Sequence, residues 1–367
     1  MPNLITYARK AANFTCTVGL LFASVQSSAI EFENYQLEGN PENATVMEYR
    51  GRPALQITGG RYWFSDMTLS DGVIEFDAAM DESHTFFGLI MRAESDNHFE
   101  NIYLRAHLNK KPDAMQYMPV VNGISSWQIF SDQNAISAAK YDYNDWNKVK
   151  IVVQGDKADI YVNSNEPTLH VPDLKTDIKT GRLGLWMFSI EKTPVYFSNL
   201  QVRALTPDDK IVGTAKETPA LADGLIRSFK VSEPVPEDTV GHNHWLDLDI
   251  DKLSWQSLEV ESNGIANLAK LSGIADKANT VLIHESIETD KAEMRKLRFG
   301  YSDRVQIFLN GKLVFAGNAG WKQRDYRFLG TIGLNDAVGL SLQEGKNDLV
   351  IAVSETFGGW GWTAAWE

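Results

Sequence analysis

From Phe32 to about Leu205, apolar and polar residues alternate in short runs separated by turn residues. The runs are ALQITGG, GVIEFDAAM, FFGLIMRAE, NIYLRAHL, WNKVKIVVQGDKADIYVN, GRLGLWMF and VYFSNLQVRAL. A period of two with no helical period predicts strands at the spacing of an all-β sandwich or barrel. KVKIVVQGDKADIYVN predicts a hairpin turning at Gly155-Asp156. Two antiparallel sheets packed face to face would bury Val149, Ile151 and Val153. Residues 223–367 resume the pattern with IRSFKVS, TVLIHESIET, KLRFGYSDRVQIFLNGKLVFAG, AVGLSLQEGKNDLVIAVSET and GWTAAW. Asn310-Gly311 marks a two-residue hairpin there, and SLQEGKNDLVIAV predicts another around Gly345. Residues 206–222 (TPDDKIVGTAKETPALA) are polar, carry two prolines and lack a period, as a linker does. The expected organisation is therefore a domain over 30–205, a linker over 206–222 and a second domain over 223–367.

Residues 1–29 read differently. Arg9 and Lys10 precede an apolar run from Phe14 to Val25, and Ser27-Ser28-Ala29 supplies small residues for cleavage. The run is too short to span a bilayer. This is the pattern of a signal peptide, so the chain is expected to be secreted, to the periplasm or beyond, with no membrane insertion. The one cysteine, Cys16, lies inside that segment and has no lipobox around it. A mature chain would then hold no disulfide, thiol nucleophile or thiolate metal site.

The length of 367 residues suits two domains, and 43% hydrophobic content suits real cores. A net charge of −13 argues against nucleic acid and anionic membranes as partners. The ten tryptophans leave room for indoles that stack on sugar rings as well as for core packing.

The segment 103–127, YLRAHLNKKPDAMQYMPVVNGISSW, departs from ordinary alternation. Ile102, Leu104 and Ala106 would share one strand face, and Tyr103, Arg105 and His107 the other. An aromatic ring, a guanidinium and an imidazole in a row are costly to bury without partners. They suit a hydroxyl-rich ligand. Arg92, opposite Phe87, Leu89 and Met91, is expected to line the same surface. The candidate ligand-binding set is Arg92, Tyr103, Arg105, His107, Gln116, Tyr117, Asn122, Trp127 and Gln128. The guanidiniums and the imidazole would donate to hydroxyls or a carboxylate, the amides would meet vicinal hydroxyls, and the rings would supply contact area.

Two resemblances follow from quoted residues. Tyr103-Leu104-Arg105, His107, Asp113-Ala114, Gln116-Tyr117, Pro119, Asn122-Gly123, Ser125 and Trp127-Gln128 resemble a run in bacterial secreted proteins of the concanavalin A-like lectin/glucanase superfamily. Gly184-Leu185-Trp186 and Phe197-Ser198-Asn199 fit the closing strands of that jelly roll. Residues 223–367 are similar to the galactose-binding-like β-sandwich, through Phe299 to Asp303, Phe308 to Gly311, Arg324 to Gly330 and Glu355 to Gly361. The resemblance implies two jelly-roll sandwiches and a carbohydrate partner, poly- or oligosaccharide. Both folds host many functions.

Glucanases of the first superfamily carry Glu-x-Asp-x-x-Glu on one strand, which places a nucleophile and an acid/base across a cleft. Here Glu75-Phe76-Asp77 is followed by Met80 where the second glutamate would stand. The expectation is therefore carbohydrate binding without a hydrolytic centre. A glycoside hydrolase or polysaccharide lyase using the same polar face is the alternative, and a purely structural network is a third reading. A lyase would take Tyr103 or His107 as base, with Arg105 or Arg92 neutralising a uronate. His242-Asn243-His244 lacks a third metal ligand nearby, and Asp247 to Asp251 lacks the glycine and distal glutamate of an EF-hand. No cofactor is expected with certainty; structural Ca²⁺, which occurs in both superfamilies, stays open. Gly358-Gly359-Trp360-Gly361-Trp362 fits the closing edge of a sandwich better than a sugar-stacking loop.

Overall fold

A computed structural model describes residues 37–274, 277–320, 322–324 and 331–367. The expected signal peptide lies outside the described residues. The described residues divide into two compact units, one within 37–117 and 133–216, the other within 118–132 and 217–367. Both are built from antiparallel strands, as the period of two predicts.

In the first unit, one sheet runs in the order Leu37–Glu38, Gly60–Leu69, Gly181–Ser189, Thr85–Ser95, His98–Arg105, Met115–Tyr117 and Ile136–Ser137. The facing sheet runs Leu169–Val171, Lys157–Val162, Asn147–Gln154, Gly72–Met80, Val195–Arg203, Arg52–Ile57 and Ala44–Tyr49. Alternation buries Phe87, Leu89, Ile102, Leu104, Leu185 and Met187 from the first sheet. Ile74, Phe76, Val149, Ile151, Val153 and Phe197 come from the second. Phe87 meets Phe197 edge-on across the interior, with ring centroids 6.0 Å apart. The Gly155-Asp156 hairpin forms as expected, with Gln154 opposite Lys157.

In the second unit, a large sheet carries Lys312–Asn318, Arg304–Leu309, Gly345–Ser354, Ala278–Thr289, Ser228–Ser232 and Trp255–Glu259 in that order. A four-stranded sheet holds Ala266–Asn267, Gly361–Trp366, Glu293–Ser302 and Asp336–Leu342. Their core takes Val231, Ile283, Val305, Ile351, Phe299 and Trp362, together with Val121 and Ile124. Trp360 and Trp362 are fully buried, so the glycine-tryptophan run closes the sandwich. Asn310-Gly311 makes the expected two-residue turn, both residues at positive φ.

Three expectations need correction. The strands flanking Gly345 are no hairpin: Asp336–Leu342 pairs with Glu293–Ser302 in the small sheet, whereas Gly345–Ser354 enters the large one. The turn residues there pass the chain between sheets. Residues 206–216 are no free linker either. Asp209 accepts from both terminal nitrogens of Arg203, and Asp159 Oδ2 accepts from the amides of Val212 and Gly213 at 2.7 and 2.9 Å. Residues 118–132, placed by the sequence in the first domain, pack with the second unit.

Candidate functional site

The strand His98–Arg105 turns Glu100, Ile102 and Leu104 inward, and Asn101, Tyr103 and Arg105 outward. Register extends the outward rows across the sheet. Trp186, Gly88, Tyr103 and Gln116 stand opposite one another in one row, and Phe188, Phe86 and Arg105 in the next. Gly88 is required in the middle of the first row. A Cβ there would lie 2.0 Å from the carbonyl oxygen of Ile102. Over that bare position the rings of Tyr103 and Trp186 approach to 5.6 Å.

Tyr103, Arg105 and Gln116 close on one another. The Tyr103 hydroxyl donates to Gln116 Oε1 at 2.7 Å, and Arg105 Nη2 donates to the same hydroxyl at 2.6 Å and to Gln116 Oε1. Arg105 Nη1 donates to the backbone oxygen of Asp113 at 2.6 Å, with that residue's carboxylate 3.5 Å away. Arg105 is only 7% exposed and Gln116 1%. The network is a fixed floor in which the Tyr103 hydroxyl and both terminal nitrogens of Arg105 are committed. Burial pushes the Tyr103 phenol up to about 12, against the opposing pull of Arg105. A phenol at that value is poorly poised as a base near neutral pH.

The accessible part of this face is aromatic. Phe188 is 55% exposed, and Trp186 and Phe86 are half-buried. Phe86 lies 6.2 Å from both Phe188 and Tyr103, ring to ring. Trp186 is oriented by its Nε1, which donates to Asn101 Oδ1 at 2.7 Å. At one end His107 packs 5.0 Å from Phe86 and 4.8 Å from His84. His107 is on a short 3-10 turn, Ala106–Leu108, and not on the strand as expected. Burial lowers its pKa, and His84 and Arg105 lower it further, so the neutral imidazole is favoured. Its Nδ1 is buried without a partner. His84 is tied to Glu191 through Nδ1 at 3.2 Å.

The other expected site residues lie elsewhere. Arg92, at positive φ where the sheet register shifts, is buried and ties the Ser70-Asp71 passage between the sheets to the Gly155 turn of the facing sheet. It donates to Ser70 O, Asp71 Oδ1 and Gly155 O at 2.8 to 3.0 Å. Tyr117 points inward, where its hydroxyl donates to Glu100 at 2.6 Å and accepts from Lys175 N. Asn122, Trp127 and Gln128 belong to the second unit. Asn122 and Gly123 form a positive-φ turn, with Asn122 Nδ2 donating to Ala269 O at 2.8 Å. Gln128 Oε1 accepts from Gly359 N and Ser302 Oγ at 2.8 and 3.1 Å, locking the Gly358-Gly359 loop. The nine candidates thus split among the network floor (Tyr103, Arg105, Gln116), the end of the aromatic strip (His107), the interior (Arg92, Tyr117) and a different unit (Asn122, Trp127, Gln128).

Glu75 and Asp77 lie on the outer side of the other sheet of the first unit. Glu75 pairs with Lys148 at 3.5 Å, and Asp77 with Arg52 and Asn199, each at 2.6 Å. Asn243 and His244 both take positive φ, so the His-Asn-His run bends and does not present one strand face. Asp249 caps the turn at Asp251 N and pairs with Lys252. No group of three or more metal-ligating side chains occurs among the described residues. Nor, among them, is any helix long and apolar enough to cross a membrane.

Asn101, Phe86, Trp186, Phe188 and His84 were not read from the sequence as ligand-binding residues. Trp186 and Phe188 do alternate with Leu185 and Met187, a legible outward signal. Their meeting with Phe86 depends on cross-strand register, which no local pattern encodes.

No known family profile matches this chain, and no curated protein matches it. Solved structures to which it is similar include a carbohydrate-binding module, CBM66, from Bacillus subtilis, at 17% identity and TM-score 0.35, over 46% of this chain and 95% of that one. The β-glucanase of Bacillus licheniformis is 12% identical at TM-score 0.36, over 50% of this chain and 100% of the other. A protein of unknown function with a galectin-like fold from Bacillus subtilis is 12% identical at TM-score 0.35, over 46% and 89%.

Proposed function

We propose that the first unit binds a poly- or oligosaccharide on the outer face of its Trp186-bearing sheet, without a hydrolytic centre of its own. The observation that carries this reading is the partly exposed strip of Trp186, Phe86 and Phe188 above a rigid polar floor. Ring faces meet the C–H faces of pyranoses, and large flat side chains lose little conformational freedom in doing so. His107 and His84 at the end of the strip offer imidazole groups to hydroxyls. The role first expected of Arg105 changes: it holds Tyr103 and Gln116 in place rather than reaching for the ligand. A secreted setting, expected from residues 1–29, would bring such a face to extracellular glycans.

Hydrolase or lyase chemistry lacks comparable support. Glu75 and Asp77 are ion-paired on another sheet, and the Tyr103 phenol is raised rather than lowered. The test is a glycan array with neutral and uronate-containing polysaccharides. Trp186→Ala and Phe188→Ala should each weaken binding at least about tenfold, roughly 1.4 kcal/mol, and Phe188→Ala, at an exposed ring, should leave the melting temperature unchanged. Binding as tight as the parent's in both variants, or absent across the panel, would overturn the reading.

A further inference from the structure

The outer face of the large sheet in the second unit carries a hollow unrelated to the aromatic strip. Register places Ser354, Arg304 and Asn318 in one row across three strands, and Ala352, Gln306 and Ala316 in the next. The intervening Val305 and Val353 face the core. Exposed Ala316 leaves space on one side of the Gln306 side chain, whereas Ala352 on the other side is buried. Beyond them Phe308 and Val350 pack with Ala352 in a separate apolar cluster, which limits the hollow on that side. On the other side stand Arg304 and Glu237. The resulting cleft has a volume of about 270 Å³, near the lower end for small-molecule sites.

Its polar groups are only partly used. Arg304 Nε and Nη2 donate to the two oxygens of Glu237, both at 2.7 Å, and Nη2 also reaches Thr356 Oγ1 at 2.9 Å. Asn318 Oδ1 accepts from Gly320 N at 2.9 Å. Among the described residues, Arg304 Nη1, Asn318 Nδ2 and the whole Gln306 amide make no hydrogen bond to protein. The cleft thus presents donors from three side chains, and acceptors from Gln306 and the Glu237 carboxylate. Each charge of the ion pair is answered by the other, so neither an anion nor a cation finds an unpaired opposite. A hydroxyl both donates and accepts, and several on one small frame match this mixture.

We propose that this cleft binds one small uncharged polyol, such as a single sugar residue, through Arg304, Gln306 and Asn318. Among the described residues no aromatic ring lines it, so recognition there is by hydrogen bonding and the dissociation constant is of about millimolar order. It would act independently of the strip in the first unit.

The test is a titration of the full ¹⁵N-labelled chain with D-glucose, D-galactose and myo-inositol, with D-glucuronate and D-glucosamine as charged controls. At least one neutral probe should shift the side-chain amide signals of Gln306 and Asn318 to saturation. Gln306→Leu should weaken that response at least about tenfold, and Ala316→Tyr, which fills the hollow from an exposed position, should abolish it. If Gln306→Leu does not fold, Ala316→Tyr carries the same test. Trp186→Ala should leave the response unchanged, which separates it from binding at the strip. Failure of every neutral probe to saturate these signals would overturn the proposal. So would a response confined to the charged probes, or one that persists in the variants.

Discussion

Arg105 exchanges hydration for the Tyr103 hydroxyl, Gln116 Oε1 and the backbone oxygen of Asp113, all inside a nearly closed environment. Removing the guanidinium leaves a buried phenol and amide without their strongest partner. Arg105→Ala is expected to cost about 3 kcal/mol in urea unfolding, the range for losing charged hydrogen bonds at a buried site. Arg105→Lys should not restore it, because one ammonium cannot reproduce the fork that spans Tyr103 and Asp113. A loss below about 0.5 kcal/mol would contradict the floor role. The cost to be expected of Tyr103, Arg105 and Gln116 was legible in their residue types. That they satisfy one another, and so are spent, was not legible, since Gln116 meets Tyr103 only through pairing of separate strands. Asn122-Gly123 shows the reverse error: an amide read as a sugar ligand is the turn residue that its Asn-Gly dipeptide already specifies.

Strands fix how far single residues can change. Gly88 sits where a methyl group would strike the neighbouring strand's backbone, so Gly88→Ala should destabilise by about 1–3 kcal/mol as overpacking does. It should also weaken glycan binding by moving Trp186 away from Tyr103, measurable on the same array. The 206–216 segment depends on Asp159, whose carboxylate receives Val212 N, Gly213 N and the His170 imidazole at 2.6 to 2.9 Å. Asp159→Ala should free this strap and make the exposed Lys210 a trypsin site cut faster than in the parent. Unchanged digestion would show that Asp209 and Arg203 suffice to hold it. Individual strands and the tight Gly155-Asp156 and Asn310-Gly311 turns followed from alternation and turn chemistry. The Gly345 turn misled because similar residues serve hairpins and passages between sheets alike, and only long-range pairing tells them apart.

Across the whole chain, the all-β character was carried by a repeated period of two, while the boundary of each compact unit was carried by contacts that no period records. The pH response belongs to this scale. In the second unit Glu355 is buried beside Asp303, and burial first, with that neighbouring carboxylate, pushes its acid form up to about 8. A folded-state value above the unfolded one means that the native unit keeps a proton that the unfolded chain releases. The associated stability is complete below the ordinary carboxyl range and is lost as pH climbs to about 8. The melting temperature should therefore fall between about pH 5 and pH 8, and Glu355→Gln should flatten that slope. A profile of unchanged steepness in the variant would remove Glu355 as its source. The fifteen-residue excursion 118–132 has a different kind of consequence. Because Val121, Ile124 and Gln128 complete the interior and a loop of the C-terminal sandwich, a fragment beginning at Glu217 would lack part of its own filling. During synthesis this stretch leaves the ribosome long before its destination exists. It must wait, apolar side chains uncovered, until more than two hundred further residues have followed.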